Sequence, residues 1–201
     1  MTKYPYAGII LAGGLNKRMA GKNKALLTVG DHSIVERQIS LFQECFDQVI
    51  VVTNHLREFA GWGTTLVSDL LPIRSSLTGM HAGLFYSKFS HAFISACDMP
   101  FLKRKMIDIL FQAFEPRWDV IVPVTQEGYQ PLCAIYSKRC LKPIEERLGR
   151  GDLKISRLFA KAKIKTIPEE SLRKVDQDLI SFFNINTIED LSRSQKMVSH
   201  G

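Results

Sequence analysis

Apolar runs broken by polar turns set the reading of this chain. Ala7-Gly8-Ile9-Ile10-Leu11 is an uninterrupted apolar run that ends at Ala12-Gly13-Gly14, a pattern that predicts a buried strand followed by a glycine loop. Ala25 to Val29 reads as a short extended piece and Gly30-Asp31-His32 as a turn. Ser33 followed by Glu36 is a capping box, so a helix is expected through about Cys45, with Ile34, Ile39, Leu41 and Phe42 as its apolar positions. Val49 to Thr53 is too uniformly β-branched for a surface strand and belongs in the middle of a sheet. Gly61 to Gly63 makes a turn, Thr65 to Ser68 a third strand, Asp69 to Thr78 a loop, and Leu77 to Tyr86 has helical spacing.

The alternation continues in the second half. Ala92 to Ala96 is a buried strand that closes on Cys97-Asp98-Met99-Pro100, and a helix is expected from about Lys103 to Phe114. Val120 to Val122 and Pro131 to Tyr136 follow as strands, then a helix over Lys138–Leu148, a turn at Gly149 to Asp152, a helix over Lys154–Ala162 and a strand over Ile164–Ile167. Phe182 to Thr187 reads as the last strand, ahead of a short helix for which Thr187 and Asp190 form a looser capping box. Strands alternating with helices predict an α/β fold: a Rossmann-like, doubly wound, mostly parallel sheet with helices on both faces. The expected unit is a single domain over residues 1–201, with its core over about 5–192 and the last residues mobile.

Composition narrows the class. Hydrophobic residues at 45% and charged ones at 23% exclude a disordered or fibrous chain. The net charge of +7 allows a nucleic-acid surface, an anionic membrane or a site for small polyanions. No aromatic and basic residues interleave as in a nucleic-acid stacking platform, and no run approaches the roughly 18 apolar residues of a membrane span. A small polyphosphate ligand therefore fits better than nucleic acid or membrane. Cys45, Cys97, Cys133 and Cys140 have no metal or redox spacing and read as reduced thiols, which with the absence of a leader-like segment makes the expected location cytoplasmic.

The polar residues that follow the strands are the chemical candidates, because ligands of an open parallel sheet bind beyond the strands' carboxyl ends. They are the loop Gly13-Gly14 with Lys17, Arg18, Lys22 and Lys24, then Asn54, Asp69, Asp98, and Asn184 with Asn186. The loop has neither the P-loop nor the dinucleotide fingerprint, so the glycines alone allow a phosphate cradle or an ordinary turn. Asp98 behind an apolar run is costly unless it meets a cation; Mg²⁺ would answer this, and so would a role as helix cap. Asn184 and Asn186, on one face of a strand, would add neutral oxygens to the metal shell or cap the last helix. Lys24 would stabilise charge developing on a transferred phosphorus, and Arg18 would hold outgoing pyrophosphate. The histidines stand in unrelated contexts, and no G-x-S-x-G elbow is present.

Leu11-Ala12-Gly13-Gly14, Arg18-Met19 and Lys24-Ala25-Leu26-Leu27 together resemble the signature loop of nucleotidyltransferases that join NTPs to phosphorylated acceptors. Val67-Ser68-Asp69, Leu77-Thr78-Gly79-Met80, Cys97-Asp98-Met99-Pro100-Phe101-Leu102, Gln130-Pro131-Leu132 and Asn184-Ile185-Asn186-Thr187 extend the likeness over almost the whole chain. The chain is most similar to the molybdenum cofactor guanylyltransferase family. The resemblance implies transfer of GMP from GTP to molybdopterin, with cofactor-synthesis proteins and molybdoenzyme chaperones as candidate further partners. It also implies a backbone grip on the nucleotide by Leu11, Ala12 and Gly13, with Gly14, Asn54 and Gly79 nearby, Lys24 on the phosphates, Asp69 on the base or ribose side, and Mg²⁺ at Asp98. One departure is that Ser75-Ser76 stand where the family has Gly-Pro, in the base-contacting loop. Residues from Gln130 to Asp152 and from Lys154 to Arg157 are candidates for the acceptor side. A cytidylyl- or other nucleotidyltransferase acting on molybdopterin or a sugar phosphate, and a nucleotide-binding protein without turnover, remain as alternatives.

Overall fold

Strand β1 (Tyr4–Leu11) lies in the middle of the sheet, because its residues are apolar on both faces and both faces are covered. The computed structural model describes residues 2–13 and 23–199. After β1 come a short hairpin, β2 (Thr28–Val29) and β3 (His32–Ser33), helix α1 (Ile34–Cys45), β4 (Phe46–Val52), β5 (Thr65–Val67) and α2 (Ser76–Tyr86). The second half holds β6 (His91–Ala96), α3 (Arg104–Gln112), β7 (Val120–Thr125), β8 (Gly128–Tyr129), β9 (Cys133–Ser137) and α4 (Leu141–Gly149). It closes with β10 (Ile164–Pro168), α5 (Glu169–Arg173) and α6 (Ile188–Ser199). No helix among the described residues is long and apolar enough to cross a membrane.

The main sheet runs β5-β4-β1-β6-β9-β7-β10, with β8 folded back on β7. Period-two alternation divides its core. Ile10, Val49 and Val51 join Val35, Phe42, Met106 and Leu110 on the side of α1 and α3. Ile9, Leu11, Ile50 and Val52 join Leu77, Met80, Ile144 and Leu148 on the side of α2 and α4. The expected doubly wound, mostly parallel architecture is therefore what forms. β4 and β6 flank β1 in parallel, one on each side, so the crossovers leave β1 in opposite directions and open a crevice at its carboxyl end.

Several elements differ from their sequence-based expectation, each for a local reason. Ala25 to Val29 is not one extended piece: Lys24–Leu26 is a 3-10 turn capped by the Asn23 side chain, and only Thr28 and Val29 pair. β9 is antiparallel to both β6 and β7, so the segment that precedes it, not the one that follows, reaches the carboxyl edge of the parallel strands. Lys154 to Ala162 forms only a 3-10 segment over Ile155–Ala160. Phe182 to Thr187 is no strand. It follows a 3-10 turn over Ile180–Phe182, and the Ile185 N–H goes to the Asp98 carbonyl instead of to a neighbouring strand. α6 runs on to Ser199, and residues 200 and 201 lie outside the described residues. The capping box at Ser33 forms as read, with Glu36 N–H on Ser33 Oγ at 3.3 Å and Ser33 N–H on Glu36 Oε2 at 2.6 Å. All four cysteines are free thiols.

Helix α2 sits close on β1 because it has no side chain at Gly83, where a Cβ would lie 2.5 Å from Ile9 Cγ2. Gly83→Val is therefore expected to cost about 3 kcal/mol, read as a lowered urea midpoint with unchanged slope. Gly149→Ala, at a glycine whose Cβ would meet nothing within 4 Å, should leave the midpoint unchanged or slightly raised. Equal midpoints for the two variants would refute the close-packing account.

Candidate active site

The crevice between β1 and β6 contains a cavity of about 290 Å³, with walls formed by the ends of β1, β4 and β6 and the start of α2. The peptide groups at the end of β1 fix its floor. The Ala12 N–H donates to the Val52 carbonyl at 2.8 Å and the Leu11 carbonyl accepts from the Cys97 N–H at 3.0 Å. These bonds hold the chain so that Gly13 emerges at the cavity, where the nearest non-adjacent atom to a Cβ would be 3.9 Å away. Gly14 and Arg18, both expected at the site, lie outside the described residues.

The wall beyond β4 and β5 is a reciprocal pair. Asn54 Nδ2 donates to Asp69 Oδ2 at 2.8 Å, and the Asp69 N–H donates to Asn54 Oδ1 at 3.2 Å. Asp69 lines the cavity, and Asn54, itself exposed and outside the lining, orients it. Gly79 faces the same wall: a Cβ there would lie 3.4 Å from Leu11 Cδ2 and 3.9 Å from Asp69 Oδ1. Ser75, in the departure from the family pattern, is the N-cap of α2, with the Thr78 N–H on its Oγ at 3.1 Å. Serine therefore starts the helix by side-chain capping where proline would start it by its fixed φ. Arg74, which the sequence reading passed over, reaches the cavity from the residue before this cap.

The opposite wall carries the charge. Lys24 Nζ donates to the Ile185 carbonyl at 3.1 Å and to Asn186 Oδ1 at 3.0 Å. The same residue, Ile185, donates its N–H to the Asp98 carbonyl at 2.9 Å, so Lys24 and Asp98 are tied to one peptide segment. That segment is anchored in turn by the start of α6, where the Asn186 and Thr187 N–H groups both donate to Asp190 Oδ2 at 2.9 Å. Asn184 does not join this cluster. Its exposed side chain turns back and donates to the Phe182 carbonyl at 3.1 Å.

Asp98 is the unusual group. Its Oδ1 is buried and has no hydrogen-bond partner among the described residues. Burial pushes its carboxyl above the ordinary carboxylate range, and the Lys24 charge and its own backbone amide oppose that shift only in part. The neighbouring Cys97 thiol is pushed up to about 12 by burial, so it stays protonated and is not a nucleophile. No group of three or more His, Cys, Asp or Glu that could hold a metal exists among the described residues. A lone carboxylate oxygen suits a hard cation that takes its other ligands from a substrate's phosphates rather than from a protein cage.

Leu132 completes the cavity, and it reaches this edge because β9 runs against its neighbours. Of the segments expected on the acceptor side, the stretch before β9 is at the edge, whereas Asp152 and Arg157 pair with each other at 3.1 Å, and Asp152 also pairs with Arg147 of α4. The sequence reading placed Asp69, Asp98, Lys24 and Gly79 here but missed Asn23 and Arg74 as lining residues. Asn23 is legible afterwards as a cap before a short apolar turn. Arg74 carries no such signal.

Comparison with known proteins agrees with this geometry. Residues 8–166 match the family described as MobA-like NTP transferase domain. A molybdenum cofactor guanylyltransferase from Desulfosudis oleivorans is 42% identical over 96% of this chain and 96% of its own. A probable molybdenum cofactor guanylyltransferase from Pelotomaculum thermopropionicum is 34% identical over 96% of this chain and 93% of its own. The crystal structure of molybdopterin-guanine dinucleotide biosynthesis protein A from Archaeoglobus fulgidus superposes with a TM-score of 0.84 at 26% identity, covering 97% of this chain and all of that one. With a family match over residues 8–166 and 42% identity to a relative over nearly the full length of both chains, the chain belongs to the molybdenum cofactor guanylyltransferase family.

Proposed function

We propose that this chain transfers GMP from GTP to molybdopterin, releasing pyrophosphate, and that Lys24 and Asp98 carry the reaction. The observation that supports the assignment of roles is the buried Asp98 Oδ1, without a hydrogen-bond partner among the described residues, on the wall that also holds the Lys24 ammonium. The terminal phosphate of molybdopterin attacks the α-phosphorus of GTP. A new phosphoanhydride bond forms as the bond from the α-phosphorus to the bridging oxygen of the β-phosphate breaks, and the electron pair leaves with pyrophosphate. The attacking phosphate is already anionic at neutral pH, so no strong base is needed, and positioning with charge neutralisation supplies most of the catalysis.

Each wall has a part in this reading. Gly13 brings backbone close to the nucleotide, and Asp69, steadied by Asn54, faces the base or ribose. Lys24, with its ammonium fixed by Ile185 and Asn186, neutralises charge growing on the α-phosphate. Mg²⁺ held by Asp98 would add countercharge for the phosphate oxygens, and Asn186 acts through its hydrogen bond from Lys24. Arg18 would meet the leaving pyrophosphate. For the acceptor, a second cavity of about 530 Å³ lies at the ends of β7 and β10, where Gln130, Arg173, Phe183 and Arg193 offer polar, cationic and aromatic contacts. Arg193 already stacks 5.5 Å from the Phe183 ring centre.

A panel of the four NTPs with molybdopterin as acceptor and pyrophosphate release as readout tests the substrate pair. GTP is expected to be preferred clearly; a CTP preference would select the cytidylyl alternative, and GTP binding without acceptor-dependent release would select the non-catalytic one. Lys24→Ala and Asp98→Asn should each lower transfer by about 10²–10³-fold with an unchanged circular dichroism spectrum. Near-normal turnover in either variant removes that residue from the mechanism. Asp98 also gives a stability prediction whose sign follows from its raised pKa. The folded chain holds a proton that the unfolded chain has released, so stability falls as pH rises from the ordinary carboxylate value through the raised one, and the penalty is complete above it. In metal-free buffer Asp98→Asn should therefore melt above the parent at pH 8, and the gain should vanish near the ordinary carboxylate pKa of about 4. A variant that melts lower than the parent at pH 8 would contradict the burial account.

A further inference from the structure

Helix α1 buries Ile34, Val35, Ile39, Phe42 and Cys45, and among them one polar side chain, Gln38, only 2% exposed. A buried amide is costly unless its hydrogen bonds are made. Here they are made to a single feature. Gln38 Nε2 donates to the Ala96 carbonyl at 2.7 Å and to the Met99 carbonyl at 3.0 Å, and Gln38 Oε1 accepts from Ser95 Oγ at 3.5 Å. Ala96 and Met99 are the residues that immediately flank Cys97-Asp98, so one planar amide grips the turn at both ends.

The grip matters because Asp98 Oδ1 has no donor among the described residues to aim it. Its direction must come from the backbone that carries it. That backbone is held by Gln38 from below, by the Cys97 N–H on Leu11, and by the Ile185 N–H on the Asp98 carbonyl. The next residue back along α1 reaches the other half of the site. Arg37 donates from Nε and Nη2 to the Val29 carbonyl at 3.0 and 2.7 Å, and the Ile34 N–H donates to the Leu27 carbonyl at 3.0 Å, which fixes the segment just after Lys24 to the same helix.

We propose that Gln38 is a positioning residue for the transfer reaction, setting the turn that aims Asp98 Oδ1 at the cation and phosphates while its helix holds the Lys24 segment in register. The inference rests on the role proposed for Asp98, and its test separates the two. The probe is Mn²⁺, titrated into the GTP complex and followed by its electron paramagnetic resonance signal, beside kcat and KM for GTP and the melting temperature. Gln38→Met keeps length and apolar packing but has no donor. It should weaken Mn²⁺ binding about tenfold and lower kcat about 10–100-fold, with KM for GTP changed less than about threefold. Gln38→Glu, which keeps an acceptor for Ser95 and sets carboxylate against the two carbonyls, should do the same, and it carries the test if the methionine variant does not melt cooperatively. Gln48→Met is the control for loss of a buried amide: Gln48 accepts from the Lys88 N–H at 2.8 Å at the far end of the sheet, so its variant should lose melting temperature alone. Parent-like Mn²⁺ affinity and kcat in the Gln38 variants, with Asp98→Asn defective in both, overturn the positioning role and leave Asp98 standing. Parent-like Mn²⁺ affinity in Asp98→Asn overturns the role of Asp98 and this inference with it.

Discussion

A carboxylate oxygen buried without a donor is the constraint from which the rest of this site follows. Left alone, Asp98 would be a defect, since desolvation favours its neutral form and no hydrogen bond from the described residues compensates Oδ1. What makes the position tolerable is that Lys24 lies on the same wall and, on the function proposed above, that a cation and phosphates would complete the charge. The protein is thus arranged to be electrostatically incomplete by itself. A fold that satisfied Asp98 internally would be more stable and would have nothing left to offer a polyphosphate.

That incompleteness requires rigidity from the surroundings, and the chain supplies it from both ends. Lys24 is held by residues 161 and 162 positions later, through the Ile185 carbonyl and the Asn186 side chain. The Asp190 carboxylate, kept below the ordinary range by the Asn186 N–H, fixes the segment that holds Lys24. α6, at first sight an appendage after the sheet is complete, therefore belongs to the site through its N-terminal cap. On the other side α1 carries the buried amide that braces the Asp98 turn. Lysine and aspartate come from separate crossovers of the sheet, and these two helix-based anchors are what make their separation reproducible.

Much of this was legible in the residues, and what was not has definite physical causes. Strands buried on both faces, such as Ile9 to Leu11 and Val49 to Val52, announce themselves because nothing polar is admitted on either side. The capping boxes at Ser33 and Thr187 are local interactions and are readable locally. The direction of β9 is not, since a short apolar run is the same forwards and backwards and only its pairing with β6 and β7 decides. Phe182 to Thr187 has the alternation of a strand, but its backbone partners are Lys24 and the Asp98 turn, both remote in sequence. Asn184 instead donates to the Phe182 carbonyl, a local bond that its sequence context does not announce. Gln38 was visible as a polar residue within an apolar stripe; the two carbonyls that explain it, about sixty residues away, were not.

Transfer between two phosphates asks little of a base. At the cavity the Cys97 thiol is held protonated by burial, and Asp98 is the group whose ionisation the fold disfavours. An acceptor phosphate that is already charged needs neither group to abstract a proton. The work left to the protein is to keep like charges of two polyanions close together, which calls for fixed cationic charge and fixed geometry. On the function proposed above, a lysine held by the Ile185 carbonyl and Asn186 and an aspartate on a braced turn would meet that requirement, and the net charge of +7 favours the approach of both anions.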